Sequence, residues 1–455
     1  MSARSSRRLK KQARGGFKAG RFIALFLSTL LLLGGGVAFY LFFEGEKPQL
    51  ALAKGSDNIG KQATINYTAS DAKSGIRKVT VTASQGETTR ELAKKENPRT
   101  GYLGRIGPAE ERQDISFEPQ KLGFKEGKIE LTVEVRDFSL RGFFGGNTTK
   151  LSKEITLDLK PPVVELLHGE KYISPGGTGI AIYRVSEPDC RHGVLFNGRM
   201  NPGHPVAADR PNTYIAYFAL PYDADGISEA KVSAADPAGN TVSLAFSPVF
   251  QKIAQKADRI TISDGFLAAK IPEFEQHYPE MQGTAVEKYL HINNAVRDAN
   301  NAIISEICTK ASPERLWKGK FLRMLGSPKA GFADHRTYFY QDKEIDHQVH
   351  LGVDIASTER VGVQAANTGK VVYADYLGIY GNMVILDHGQ GVFSLYSHLS
   401  QISAAVGDTV EKGKIIGQTG TSGMAGVCWS WTCGVVDVGV TSAVAGLGSG
   451  SGSAS

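Results

Sequence analysis

A run of 22 residues without a charge, from Phe22 to Phe43 (FIALFLSTLLLLGGGVAFYLFF), constrains this chain more than any other feature. As a helix rising about 1.5 Å per residue it would be roughly 33 Å long, enough for the hydrocarbon core of a bilayer. It is the only such run in the sequence, which excludes a multi-span transporter. Residues 1–21 carry eight basic side chains (Arg4, Arg7, Arg8, Lys10, Lys11, Arg14, Lys18 and Arg21) and no acidic one. Basic flanks stay cytoplasmic. The run ends in bulky Tyr40, Phe42 and Phe43 and lacks a small-x-small cleavage site after it, so it reads as an uncleaved anchor and not as a signal peptide. Residues 1–21 are then a cytoplasmic tail, 22–43 a transmembrane anchor, and the rest of the chain lies outside.

The tail also accounts for the net charge of +6, because subtracting its eight positives leaves −2 for the remainder. Positive charge gathered in one tail is not a distributed nucleic-acid groove, and no nucleic-acid partner is expected. At 41% hydrophobic residues the chain is not grossly disordered. Four cysteines are too few for a disulfide scaffold. Cys190 and Cys308 stand alone in sequence, and two readings stay open for them, a disulfide in an oxidising exterior or two buried thiols.

Residues 48–160 alternate apolar and polar positions in short runs, such as 76–82 and 129–135, divided by Gly, Asp and Asn turns. That pattern is half-buried antiparallel strand. From Pro161-Pro162 a second stretch to about 250 repeats the style. Val133-x-Val135-x-Asp137 with Gly146-Asn147-Thr148 finds a weak echo in Val232, Asp236 and Gly239-Asn240-Thr241. Two immunoglobulin-like β-sandwich modules, 48–160 and 161–250, fit this pattern, with spacing or binding as their expected role. Residues 284–307 switch to helical spacing, with Val286, Leu290, Ile292, Val296, Ile303 and Ile304 on an apolar face and a Thr284/Glu287 capping box. A shorter helix is predicted at Ser312-Pro313. Residues 264–326 read as a helical connector ahead of a separate domain.

Residues 328–426 return to short strands and tight turns. His350-Leu351-Gly352-Val353-Asp354 is a His-x-x-x-Asp whose Gly and β-branched Val favour extended chain. On a strand, i and i+4 share one face, so an imidazole and a carboxylate would project together as half of a zinc site. Alone, this spacing is weak. It is followed in order by Val361-Gly362-Val363 to Gly369-Lys370-Val371-Val372, by Gly381-Asn382 to Asp387-His388-Gly389, by Leu395-Tyr396-Ser397-His398-Leu399-Ser400, by Val406-Gly407-Asp408 to Gly413-Lys414, and by Gly420-Thr421-Ser422-Gly423.

In order and spacing these blocks resemble the lysostaphin/LytM-type zinc metalloendopeptidases of bacterial peptidoglycan, over roughly 100 of the 455 residues. The resemblance implies a mainly β chain ending in a LytM-type antiparallel domain. Its groove would hold Zn2+, which polarises the scissile carbonyl and activates water. Carried over by position, His350 and Asp354 match metal ligands and His398 matches a catalytic histidine. His388 and His347 read as structural. Peptidoglycan is the implied partner, with the inner membrane reached through the anchor, the C-terminal domains in the periplasm or outside, and an envelope protein as a further partner.

The resemblance stops at Gly426. The family's His-x-His strand, supplying the third ligand and the general base, is absent, and no histidine follows His398. Residues 427–455 hold two tryptophans, two cysteines and one charged residue, Asp437, in a chain otherwise dominated by Gly, Ser, Ala and Val. Three readings compete: a disrupted reading frame, a noncatalytic wall-binding or amidase-activating member, or replacement of the lost ligand by Cys428 or Cys433. The Cys-x4-Cys spacing and the missing base weigh against the third. The three predict different things about activity; for the chain as written the expectation is impaired peptidase activity and doubtful zinc occupancy.

Overall fold

The N-terminal segment, free of charge from Phe22 onward, satisfies its backbone within itself, and in the computed structural model it is a helix, Phe17–Phe42. The structure describes residues 17–42, 45–53, 57–101, 106–141, 145–252, 254, 256–425 and 439–440. The window Gly20–Val37 is long and apolar enough to cross a membrane, a property shared by anchors and signal sequences. The chain divides into two units, Met1–Lys160 with Pro237–Asn240, and Pro161–Asp236 with Thr241–Ser455.

In the first unit the alternating runs are strands, as the sequence predicts. Ile76–Gln85 and Gly127–Asp137 lie at the centre of a five-stranded sheet, and Ala63–Ser70 lies at the centre of a three-stranded one. Residues of both sheets, among them Tyr67, Val79, Val81, Leu131 and Val133, form a common core. The second unit begins with two four-stranded sheets around Tyr183, Val194, Phe218 and Val232. The sequence echo marks equivalent places: a buried Asp ends a strand (Asp137) or directly follows one (Asp236), and the Gly-Asn-Thr after it opens the next strand, Thr148–Leu157 or Thr241–Ala245. Cys190 and Cys308 are buried free thiols, so of the two readings the disulfide is not the one formed. Burial pushes them up, to about 11 and about 12.

The segment after 256 is built around a shared core. Strand Ala257–Ile262 pairs in parallel with Asp334–Tyr340, which pairs in turn with Lys343–His350. Helix Asp264–His277, capped by Ser263, turns Leu267, Ile271 and Phe274 into a cluster with Tyr289, Ile292, Tyr338 and Ile379. The segment read as a connector therefore shares its core with the residues that follow it. The capping box forms, with Glu287 N donating to Thr284 Oγ1 at 3.3 Å and Thr284 N to Glu287 Oε2 at 2.7 Å. Helices Ala285–His291 and Arg297–Cys308 are joined by a π turn, Ile292–Val296.

The buried face of this rod differs from the apolar face predicted. Ile303 is exposed, and Asn293, Asn300 and Asn301 are buried. Each asparagine has a partner that rewards its burial: Asn293 Nδ2 donates to Asp346 at 2.7 Å, Asn300 Oδ1 accepts Ile379 N at 3.0 Å, and Asn301 Oδ1 accepts the Tyr380 hydroxyl at 2.7 Å. The helix predicted at Ser312 is absent. Ser312 N donates to Asp387, Gln390 N to Ser312 O, and Leu316 N to His388 O, so the sheet's turn claims the backbone groups a helix would have used.

The C-terminal sheet runs in the order Gly362–Gln364, Ile415–Thr419, Val392–Ile402, Asn382–Gly389, Gly369–Tyr376, Thr409–Val410, with Gly439–Val440 on Val392 and Phe393. Val363, Val371, Val384, Leu386, Tyr396 and Ile416 fill it. The remainder of the 427–455 tail lies outside the described residues. Because Phe274 is fully buried where the helix meets Tyr338 and Ile379, Phe274→Ala is expected to destabilise this unit by about 3–5 kcal/mol. Urea unfolding followed by tryptophan fluorescence checks it; a loss below about 1 kcal/mol contradicts the shared core.

Candidate metal centre

On one continuous strand, His350 and Asp354 would be about 13 Å apart at ~3.3 Å per residue, too far to share an ion. The structure corrects the one-strand reading. Lys343–His350 ends at the histidine, Leu351–Val353 leave the strand, and Asp354 opens the short strand Asp354–Ala356 on Ser327–Ala330. Gly352 sits in this bend, where a Cβ would come within 3.6 Å of His350 Nε2. The bend brings His350 Nε2 to 3.0 Å from Asp354 Oδ1.

Each partner is fixed from behind. His350 Nδ1–H donates to Gly331 O at 2.9 Å, which turns Nε2 toward the carboxylate. Arg336 holds Asp354 Oδ2 at 3.1 Å. Asp354 Oδ1 is buried and has no well-directed hydrogen bond. A neutral imidazole with its proton on Nδ1 therefore sets one lone pair against another, a contact that a proton or a cation between them relieves. Two ligands at about 2.0–2.1 Å in tetrahedral geometry would stand about 3.3 Å apart, so the pair fits a zinc ion with little movement. Among the described residues, no third His, Cys, Asp or Glu joins these two in a ligand cluster. Cys428 and Cys433 lie outside the described residues.

His398 belongs to strand Val392–Ile402 at a β-bulge. Tyr396 pairs with Val384 and Leu399 with Asn382, so Ser397 and His398 together oppose Met383. Regular alternation would put His398 on the face of Tyr396, which is buried in the sheet's core. The bulge, with His398 at φ +57, re-aims it. His398 Nδ1–H donates to Ser422 O at 2.8 Å. Ser422 also bridges the bulge: its Oγ accepts Asn382 N at 2.9 Å and donates to Leu399 O at 2.8 Å. His398 lies within electrostatic reach of Asp354, His350 and Lys270.

His388 is fully buried, with Nδ1–H on Thr368 O at 2.8 Å and Nε2 accepting the Ser394 hydroxyl at 2.7 Å, and His347 is exposed beside Glu344 at 2.9 Å. Neither joins the site. Sequence reasoning missed Arg336 and the Gly331 and Ser422 carbonyls. The Gly-Thr-Ser-Gly block was a signal for the last; a lone strand arginine gave none for the first.

The sequence model of Peptidase family M23 matches residues 348–431. This segment is an M23 peptidase-family domain. The DD-carboxypeptidase/endopeptidase Mpg of Neisseria meningitidis serogroup B is 38% identical over 76 residues, 17% of this chain and 17% of its own length. The murein hydrolase activator EnvC of Escherichia coli is 37% identical over 75 residues, 16% of this chain and 18% of its own. These alignments thus span less than a fifth of either relative. A peptidase M23 structure from Pseudomonas aeruginosa overlays 60% of this chain and 92% of its own at 19% identity, with a TM-score of 0.38.

Burial is the main cause that pushes the His398 imidazole of the M23 domain down to about 4; the Ser422 bond and the Asp354 charge oppose it, and the Lys270 charge adds to it. Burial would raise the Asp354 carboxyl, but the His350 contact and the charges of His350, Arg336 and His398 overcome it and hold it at about 2. Unfolded, His398 takes up its proton near pH 6.5, well above its folded value. Stability from this group is therefore intact above pH 6.5 and lost as pH falls from about 6.5 toward 4. Asp354 is displaced downward as well, so its contribution is present above its unfolded value of 3.8 and disappears as pH falls through about 2. Urea midpoints measured from pH 7.5 to 4 are expected to fall less steeply in His398→Gln than in the unaltered chain; equal slopes contradict the buried neutral imidazole.

Proposed function

We propose that this is a wall-facing protein, tethered in the bacterial inner membrane by residues 22–43, whose M23 domain engages peptidoglycan cross-link peptides. Its ancestral chemistry is zinc-dependent endopeptidase cleavage. The observation that carries this reading is the pair of inward lone-pair atoms, His350 Nε2 and Asp354 Oδ1, 3.0 Å apart and each anchored by a second contact. The two β modules, read as immunoglobulin-like, serve as spacers between membrane and wall.

Zinc, when bound, supplies carbonyl polarisation and an acidified water. The chain's own contributions are separable from it. His350 and Asp354 offer the two ligand atoms, and Arg336 occupies Asp354 Oδ2 and leaves Oδ1 toward His350. His398, neutral at pH 7, keeps an Nε2 lone pair for a proton while Ser422 O holds its Nδ1–H. What is missing is the His-x-His pair, since no histidine follows His398. Two ligands hold zinc far more weakly than three, and no base replaces the lost one.

The chain as written is accordingly expected to contain well under one zinc per molecule after dialysis and to leave purified sacculi uncleared. Metal analysis and a turbidity assay check this together. One tightly held zinc per chain with wall digestion contradicts it. The incomplete ligand set and the likeness to a protein named as a murein hydrolase activator favour a second reading, in which the domain binds the wall or stimulates a separate amidase. Faster amidase digestion of sacculi on adding the chain would select that reading.

A further inference from the structure

Two side chains of helix Asp264–His277 grip the turn that holds His398. Lys270 Nζ donates to Thr421 O, 151 positions further along the chain. Glu273 Oε1 accepts Gly423 N at 2.5 Å. Between these contacts lies Ser422, whose carbonyl accepts the His398 Nδ1 proton. Lys270 and Glu273 are one turn apart on one helix face, with Nζ and Oε2 3.7 Å apart, and the lysine side chain is only 8% exposed. Burying an ammonium is costly unless it is paired. The packing of this helix does not require it, because Leu267, Ile271 and Phe274 already supply the apolar face.

We propose that Lys270 and Glu273 are positioning residues that clamp Thr421–Gly423, so that the Ser422 carbonyl keeps His398 in its Nδ1–H tautomer and leaves Nε2 as the acceptor. The bulge gives the clamp something to oppose. His398 occupies a left-handed backbone conformation that a histidine holds only when its surroundings enforce it. The turn itself has little freedom to adapt, since Gly423 is at φ +65 and a Cβ there would come within 2.3 Å of Gly381 N. The Lys270 charge is also felt at His398, where it disfavours the imidazolium. The M23 site is thereby completed by a helix that precedes the M23 match by more than 70 residues. The functional weight of the clamp rests on reading His398 as a proton acceptor; the contacts themselves do not.

The test is the histidine-ring 1H–15N spectrum of the full chain in detergent micelles at pH 7.5, with the His398 signals identified by their loss in His398→Gln. The expected spectrum shows a single Nδ1–H tautomer for His398. Lys270→Met and Glu273→Met are each expected to abolish that single-tautomer signature and give a mixture, while Lys270→Arg retains it. Lys288→Met removes another ion pair of the same helix, Lys288–Glu275 at 2.6 Å, and should leave His398 unchanged. Should Lys270→Met not fold, Glu273→Met, which removes the acceptor for Gly423 N at similar volume, carries the test alone. An unaltered tautomer in the clamp variants, or an equal change in Lys288→Met, overturns the proposal. The spectrum requires neither zinc nor peptidoglycan, so its failure is separate from a failure of the wall-directed reading.

Discussion

His350 Nε2 and Asp354 Oδ1 are two electron-rich atoms that would repel each other if nothing stood between them, and the chain nevertheless holds them 3.0 Å apart. Gly331 and Arg336 fix them from behind, and the break in the strand over Leu351–Val353 spares them a strand's length of separation. The arrangement is one in which a proton or a cation between the two atoms would be held by both. The parallel strand Ala257–Ile262, the asparagine-docked helices and the bulge at His398 all support the framework in which that pair sits.

Much of this was legible because the M23 blocks are local in sequence. Turn glycines, alternating strands and the order of the His and Asp positions can be read along the chain, and they point to the sheet and to His350, Asp354 and His398 as candidates. What was not legible depends on contacts between distant residues. The asparagines at 293, 300 and 301 look like a polar face until their partners at 346, 379 and 380 are in place. Ser312-Pro313 has the local signals of a helix start, but the hydrogen bonds of Asp387, His388 and Gln390 override them. Lys270 and Glu273 carry no motif, and only folding places them at the Thr421–Gly423 turn.

The same framework bears differently on His398 and on the metal ligands. His398 is held by a carbonyl and not by the metal ligands, so its orientation survives without them. The metal, by contrast, depends on ligand count, and a pair of ligands leaves most of its coordination to water. On the reading proposed above, the described residues supply one oriented imidazole and two of the ligand atoms.

X-ray absorption at the zinc edge of the zinc-saturated chain tests the ligand pair most directly. The expected shell is nitrogen and oxygen only, at about 2.0–2.1 Å, with imidazole scattering that vanishes in His350→Ala. A sulfur shell near 2.3 Å, or imidazole scattering unchanged in that variant, would contradict the assignment of His350 and Asp354 as the metal-binding pair.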